Sequence, residues 1–182
     1  VTDSEFVVLR LGVNDQRPDF DCGDADLNEF FLKDSKESCN QLLAVTYLIK
    51  LKEDPVAFFS VSNDSVKKEL LPKAGIRKLF RKIPLPKRYS SMPAVKIGRL
   101  AVKSSLHRSG IGTEILNFVK GWFTVGNKTG CRFVLIDAYN KPEILSFYKK
   151  NGFSFLVEGD LEDQTRLMYF DLITVVNREL SN

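Results

Sequence analysis

The chain has 182 residues, 43% of them hydrophobic and 11% aromatic, enough for one sizeable core and too little for two, so a single domain over the whole length is expected. No stretch approaches the roughly 18 apolar residues of a membrane-spanning helix, and Val1-Thr2-Asp3-Ser4-Glu5 lacks the basic and apolar regions of a secretory leader, so a soluble, cytoplasmic protein without a membrane partner is expected. The three cysteines, Cys22, Cys39 and Cys131, are odd in number and widely spaced beside the single histidine His107, which predicts neither a disulfide framework nor a metal site.

Phe6 to Leu11 reads as a first strand, closed by Gly12 and a polar turn up to Pro18. A helix follows, capped by Asp24 or Asp26, with Leu27, Phe30 and Phe31 as an apolar stripe at helical spacing. Leu42–Leu51 and Val56–Ser62, joined by Lys52-Glu53-Asp54-Pro55, read as an antiparallel hairpin. An insertion then occupies about 64–91, marked by Pro72, Pro84, Pro86 and Pro93. Between Val66 and Tyr89 its bases Lys67, Lys68, Lys73, Arg77, Lys78, Arg81, Lys82, Lys87 and Arg88 face one acid, Glu69, and are scattered with Leu70, Leu71, Ile76, Leu79, Phe80 and Ile83. That pattern predicts one or two short amphipathic helices with a basic outer face, either simply solvated or turned to a polyanion such as RNA. Lys78, Arg81 and Lys82 are the residues assigned to such contact.

Ala94–Val102 is a fourth strand, and Ile115, Leu116, Phe118, Val119 and Trp122 give the next helix its apolar face. Cys131–Ala138 is dense enough in apolar residues to be a central strand covered on both faces. A helix opens near Pro142, carries Ile144, Leu145, Phe147 and Tyr148, and ends at Gly152. Phe153–Glu158 and Arg166–Leu172 complete the sheet as a hairpin, with Leu167–Leu172 as an exposed edge that would support a homodimer. The order β-α-β-β-insertion-β-α-β-α-β-β is that of a mixed α+β sheet, not a repeated βαβ array.

The strand ending Leu100-Ala101-Val102 leads through His107-Arg108-Ser109-Gly110-Ile111-Gly112-Thr113 into a helix. Two glycines permit a tight turn that aims peptide N–H groups at a helix start, where the dipole favours an anion; an ordinary structural turn uses the same residues. Thr113-Glu114 stands where a nucleotide-hydrolysing P-loop needs lysine followed by Ser or Thr, and Ile115 where a dinucleotide fingerprint needs its third glycine. Both of those ligand classes are disfavoured.

Taken in order, His107-Arg108-Ser109-Gly110-Ile111-Gly112, then Asp137-Ala138-Tyr139-Asn140, then Phe147-Tyr148-Lys149-Lys150-Asn151-Gly152-Phe153 resemble the GNAT acyl-CoA N-acyltransferase family over nearly the whole chain. The resemblance implies a mixed, mostly antiparallel sheet flanked by helices with a splayed central strand pair, acetyl-CoA as cosubstrate, no metal, and a primary amine as acceptor. His107 departs from the family's Gln or Arg at that position. Phe20-Asp21-Cys22-Gly23 followed by Leu27-Asn28-Glu29-Phe30-Phe31, the basic insertion and Gly98-Arg99-Leu100-Ala101-Val102 are similar to the toxin-type branch. Members of that branch acetylate the amino group of aminoacyl-tRNA and pair with a ribbon-helix-helix antitoxin.

Carried onto this sequence, the resemblance assigns acetyl-CoA to Leu100, Ala101, Val102, His107, Arg108, Ser109, Gly110, Ile111, Gly112, Thr113 and Asn140. The loop backbone would anchor the pyrophosphate, Leu100 and Val102 would offer peptide groups to the amide-bearing arm, and an N–H such as that of Leu100 would hold the oxyanion. Tyr148 reads by periodicity as a helix aromatic packed beside Phe147; the resemblance makes it the proton donor to the leaving thiolate. Asn140 reads equally as a helix cap. No general base is assigned among His107, Glu114 and Asp137, and the weakly basic amine of an aminoacyl ester needs none. The alternatives are a metabolic, peptide or protein N-acetyltransferase and a non-catalytic CoA- or RNA-binding module.

Overall fold

The computed structural model describes residues 6–80, 83–84, 89–125 and 129–179. Its strands are β1 (Phe6–Leu11), β2 (Val45–Leu51), β3 (Asp54–Lys67), β4 (Ser91–Val102), β5 (Phe133–Tyr139), β6 (Ser154–Phe155) and β7 (Thr165–Asp171), in the order β1-β2-β3-β4-β5-β7-β6. The pairs β1–β2, β2–β3, β5–β7 and β6–β7 are antiparallel. The helices are α1 (Ala25–Glu29), α2 (Ser35–Asn40), α3 (Lys73–Phe80), α4 (Ile111–Trp122), α5 (Pro142–Lys150) and α6 (Ile173–Glu179). This is the expected mixed α+β architecture. The chain divides into two compact units: residues up to Ser62 with Ile97–Ile115, and Asn63–Lys96 with residues from Leu116 onward.

The core of the first unit is aromatic. Phe31 and Phe58 stack with centroids 4.7 Å apart, and Phe20 lies 5.4 Å from each, closed by Leu11, Cys22, Leu48 and Ala101. Asp24, rather than Asp26, caps α1, its side chain accepting from the Leu27 amide at 3.1 Å. A π-helical stretch, Phe30–Asp34, joins α1 to α2. The turn after α2 differs from the expected strand start: Leu42 takes φ 57° and the Leu43 amide returns to the Ser38 carbonyl at 2.8 Å. Leu42 and Leu43 therefore finish a helix, and β2 begins at Val45.

In the second unit Val66, Leu71, Leu79, Phe80, Met92, Ala94, Phe133, Leu135 and Tyr169 pack together. The apolar face of α3 joins this core through Leu79 and Phe80 while Lys73, Arg77 and Lys78 stay exposed, as the amphipathic pattern requires. Phe133–Ile136 of β5 are buried, in keeping with an inner strand.

Three expectations are corrected. The strands flanking the basic segment extend into it, because Val66 is a core residue and the Lys68 amide still reaches the Ser90 carbonyl at 2.9 Å, so the insertion proper is shorter than 64–91. Leu167–Leu172 is not the sheet edge: β7 pairs with β5 along its length and with β6 at Met168 and Tyr169. The hairpin expected to end the fold is followed by a further helix, α6. Its β-branched run Ile173-Thr174-Val175-Val176 suits a strand, but Asp171 accepts from the Ile173 amide at 3.2 Å and from the Thr174 hydroxyl at 2.7 Å, capping a helix.

Candidate functional site

The loop between β4 and α4 is held at its strand end by two main-chain bonds. The Lys103 amide donates to the Val56 carbonyl and the Ser104 amide to the Asp21 carbonyl, both at 2.9 Å. Asp21 is itself fixed, its carboxylate accepting from the Gly23 amide and from Asn28 Nδ2, both at 2.8 Å. These bonds hold the Asp21 carboxyl below its ordinary range, the Gly23 amide contributing most. Asn28 Oδ1 accepts from the Cys22 amide at 3.0 Å. Phe20-Asp21-Cys22-Gly23 with Leu27-Asn28 is thus a hydrogen-bonded clip under the loop, a role that the resemblance to the toxin-type branch did not specify.

From this anchor the chain makes a tight turn at Ser104–Leu106 and passes through Arg108 at φ 62° and Gly110 at φ 95°. The Ser109 amide is taken by the Leu106 carbonyl at 3.3 Å, and those of Thr113 and Glu114 by the Gly110 carbonyl at 2.9 and 3.1 Å. The amides of Gly110, Ile111 and Gly112 donate to none of the described residues. Within Ser109–Thr113 the available N–H groups among the described residues are therefore these three. They lie at the first turn of a twelve-residue helix, beside exposed His107, Arg108 and Ser109, where dipole and orphan donors favour an anion.

The end of β4 also has an orientation that follows from the trans peptide. Because the Lys103 N–H points at β3, the Val102 carbonyl of the same peptide points the opposite way. Strand alternation gives Leu100 the same sense as Val102, whereas Ala101 is buried in the aromatic core. His107 is not turned wholly to the loop: its Nε2 lies 2.9 Å from the Val102 carbonyl oxygen. Nε2 donates in that bond, because a carbonyl oxygen can only accept.

In the second unit, α5 carries Tyr148. Its half-buried ring meets Phe147 at 5.0 Å and Phe153 at 5.7 Å, both edge-on. The hydroxyl bonds none of the described residues, and burial pushes the phenol up to about 12. Such a group is a proton donor throughout the physiological range and not a base. The far end of α5 is held by Lys120, whose ammonium donates to the Asn151 carbonyl at 2.7 Å and lies 4.4 Å from the Phe170 ring centroid. Nothing in the sequence singled out Lys120.

Asn140 does not cap α5; Lys141 takes that position without a side-chain bond. The Asn140 amide nitrogen instead donates to the Leu161 and Asp163 carbonyls at 2.8 and 2.9 Å, stapling the loop before β7. Asp137 pairs with Lys96, and Glu114 is exposed in the first turn of α4. Lys78 is exposed on α3 with its ammonium 5.9 Å from the Tyr169 ring centroid; Arg81 and Lys82 lie outside the described residues. Burial pushes the Cys22 and Cys131 thiols up, which suits inert packing roles. No cluster of three or more metal-ligating side chains occurs among the described residues, and no helix among them is long and apolar enough to cross a membrane.

Residues 78–155, which contain the loop and Tyr148, match the family model described as "Acetyltransferase (GNAT) domain". Over these residues the chain is similar to GNAT acetyltransferase domains. Its whole fold is similar to solved structures. One, a bacterial toxin, is 14% identical with a TM-score of 0.72, covering 98% of this chain and 97% of that one. AtaT complexed with acetyl-methionyl-tRNAfMet is 20% identical at TM-score 0.70, covering 94% and 98%. A Tyr-to-Phe mutant of the AtaT toxin, bound to the C-terminus of the antitoxin AtaR and acetyl-CoA, is 16% identical at TM-score 0.66, covering 93% and 95%.

Proposed function

We propose that this GNAT domain transfers acetyl from acetyl-CoA to the amino group of an aminoacyl-tRNA, acting as the toxin of a pair whose partner is a small ribbon-helix-helix antitoxin. The observation that carries the donor is the set of open amides at Gly110, Ile111 and Gly112, at the start of α4 within the residues that match the acetyltransferase model. They suit a pyrophosphate and require no metal. The outward peptide edge at Leu100 and Val102 suits the amide-bearing arm of the donor, by the same bonds that add a strand to a sheet edge.

In the reaction the neutral amine nitrogen bonds to the thioester carbonyl carbon, the C–S bond breaks, and the thiolate takes a proton. Tyr148 supplies that proton from its hydroxyl, which bonds none of the described residues. Burial raises the phenol, and an apolar surrounding raises the thiolate's basicity in the same sense, which keeps the transfer matched. The proton released by the amine restores the phenol. A main-chain N–H, with Leu100 the preferred one, stabilises the tetrahedral oxyanion, a contribution of about 3–4 kcal/mol when preorganised.

The acceptor reading is supported by the fold's likeness to AtaT, solved with acetyl-methionyl-tRNAfMet, and by the exposed bases of α3. The antitoxin reading is supported by the likeness to AtaT solved with AtaR. The test is thiol release from acetyl-CoA across a panel of small amines, peptides and charged tRNAs. Replacing Lys78, Arg81 and Lys82 by alanine is expected to lower turnover on charged tRNA about tenfold or more and to flatten its salt dependence, leaving a small amine nearly unaffected. Equal losses on both acceptors would return the basic segment to a solvated face. Donor binding without thiol release on any acceptor would make the chain a non-catalytic module.

A further inference from the structure

We propose that His107 is a latch on the donor edge of β4: its imidazole occupies the Val102 carbonyl, and the donor's arm must displace it. The inference rests on the donor reading above and adds to it a residue that sets how strongly the donor's arm, as distinct from its nucleotide, is held.

The geometry has three parts. The Lys103 N–H is committed to Val56 on β3, so the Val102 carbonyl faces away from β3 across a trans peptide. That is the edge along which an amide-bearing arm lies when it pairs like an added strand. The ring reaching this carbonyl comes from the loop itself: His107 Nε2 is 2.9 Å from the Val102 oxygen and makes the kind of bond an arm amide would make. A carbonyl oxygen has two acceptor directions, and the His107 ring takes up one of them at this edge.

His107 is exposed, and its own amide is held by the Ser104 carbonyl at 3.2 Å. The ring therefore has room to swing about its side-chain torsions while the backbone of the loop stays fixed. The next residue, Arg108, at φ 62°, begins the turn that presents the Gly110–Gly112 amides. Displacing the ring thus exchanges one hydrogen bond at Val102 without dismantling the anion cradle, and the nucleotide half of the donor binds whether the latch is open or shut.

Equilibrium binding of acetyl-CoA and of its nucleotide half, 3′-phosphoadenosine 5′-diphosphate, separates this from a role in merely holding the loop. In His107→Ala the latch is gone, and the ratio of acetyl-CoA affinity to nucleotide affinity is expected to rise several-fold, up to about tenfold, the size of one net hydrogen bond. His107→Gln, whose amide nitrogen reaches about as far as Nε2, is expected to keep the wild-type ratio. Equal weakening of both ligands in His107→Ala would overturn the latch and make the ring a loop brace; an unchanged ratio would also overturn it. If the chain binds the nucleotide half and acetyl-CoA equally well both in the wild type and in His107→Ala, the arm gains nothing at β4 and the latch fails while the anion cradle stands. If it binds neither, the donor reading fails and the latch with it.

Discussion

In the first unit the groups offered to a ligand are main-chain amides, and what holds them is a chain of hydrogen bonds running from Asn28 to Asp21 to Ser104 to the loop. In the second unit the group offered is one phenol, held by the edges of Phe147 and Phe153 on a helix whose end is tied down by Lys120. The first is a polar scaffold whose chemistry is independent of most side chains at the loop. The second is an apolar setting in which one side chain is proposed to carry the chemistry and its surroundings set its proton affinity. Backbone sites tolerate substitution unless φ is at stake; side-chain sites fail when one oxygen is removed.

That contrast orders the expected effects. Tyr148→Phe removes the oxygen and keeps the packing, so turnover is expected to fall by about 10²–10⁴ with acetyl-CoA binding preserved, measured by thiol release and by calorimetry. A smaller fall would move the proton donor elsewhere. Gly152→Ala strikes the support of the same helix: φ is +83° and a Cβ would stand 3.0 Å from Phe170 Cε2, so a loss of about 1–3 kcal/mol in denaturant unfolding is expected.

Gly110→Ala tests the backbone plan. A Cβ there meets nothing within 4 Å, so the only penalty is φ +95°. The expected result is an acetyl-CoA KM raised about tenfold with kcat much less affected, from a strain of about 1–2 kcal/mol. Asn28→Ala removes the clip beneath the loop and orphans the Cys22 amide, costing about 1 kcal/mol of stability and raising the donor KM further than kcat falls. An unchanged donor KM would separate the clip from the loop.

The smallest effect is on pH. Tyr148 sits at about 12 in the folded chain against about 10 when unfolded, so the folded chain holds the proton longer. Stability is then untouched below pH 10 and declines as pH rises from about 10 to about 12. Tyr148→Phe is expected to make that alkaline decline shallower and to remove the highest-titrating step from the phenolate absorbance. An unaltered titration would mean the ring is wetter than its packing implies.

Much of this was legible from local patterns. The glycine spacing, the helix punctuated by Pro142 and Gly152, the buried run of β5 and the two-faced α3 each depend on interactions within a few residues or on burial averaged over an element. The missed features are long-range. Leu167–Leu172 resembles an edge until β6 pairs with it, and the β-branched start of α6 resembles a strand until Asp171 caps it. Asn140 resembles a cap or a ligand donor until the Leu161 and Asp163 carbonyls take its amide nitrogen.

By itself the sequence determined most of the element types and the places of the glycine loop and of Tyr148 on their elements, because periodicity and glycine conformational freedom are properties of the chain. Only the tertiary structure decided which amides of that loop are open, that the half-buried Tyr148 hydroxyl bonds none of the described residues, and that His107 reaches back to Val102. Those facts depend on which groups are already spent on other bonds, and residues far apart in the chain, such as Asp21 and Ser104 or Lys120 and Asn151, do the spending.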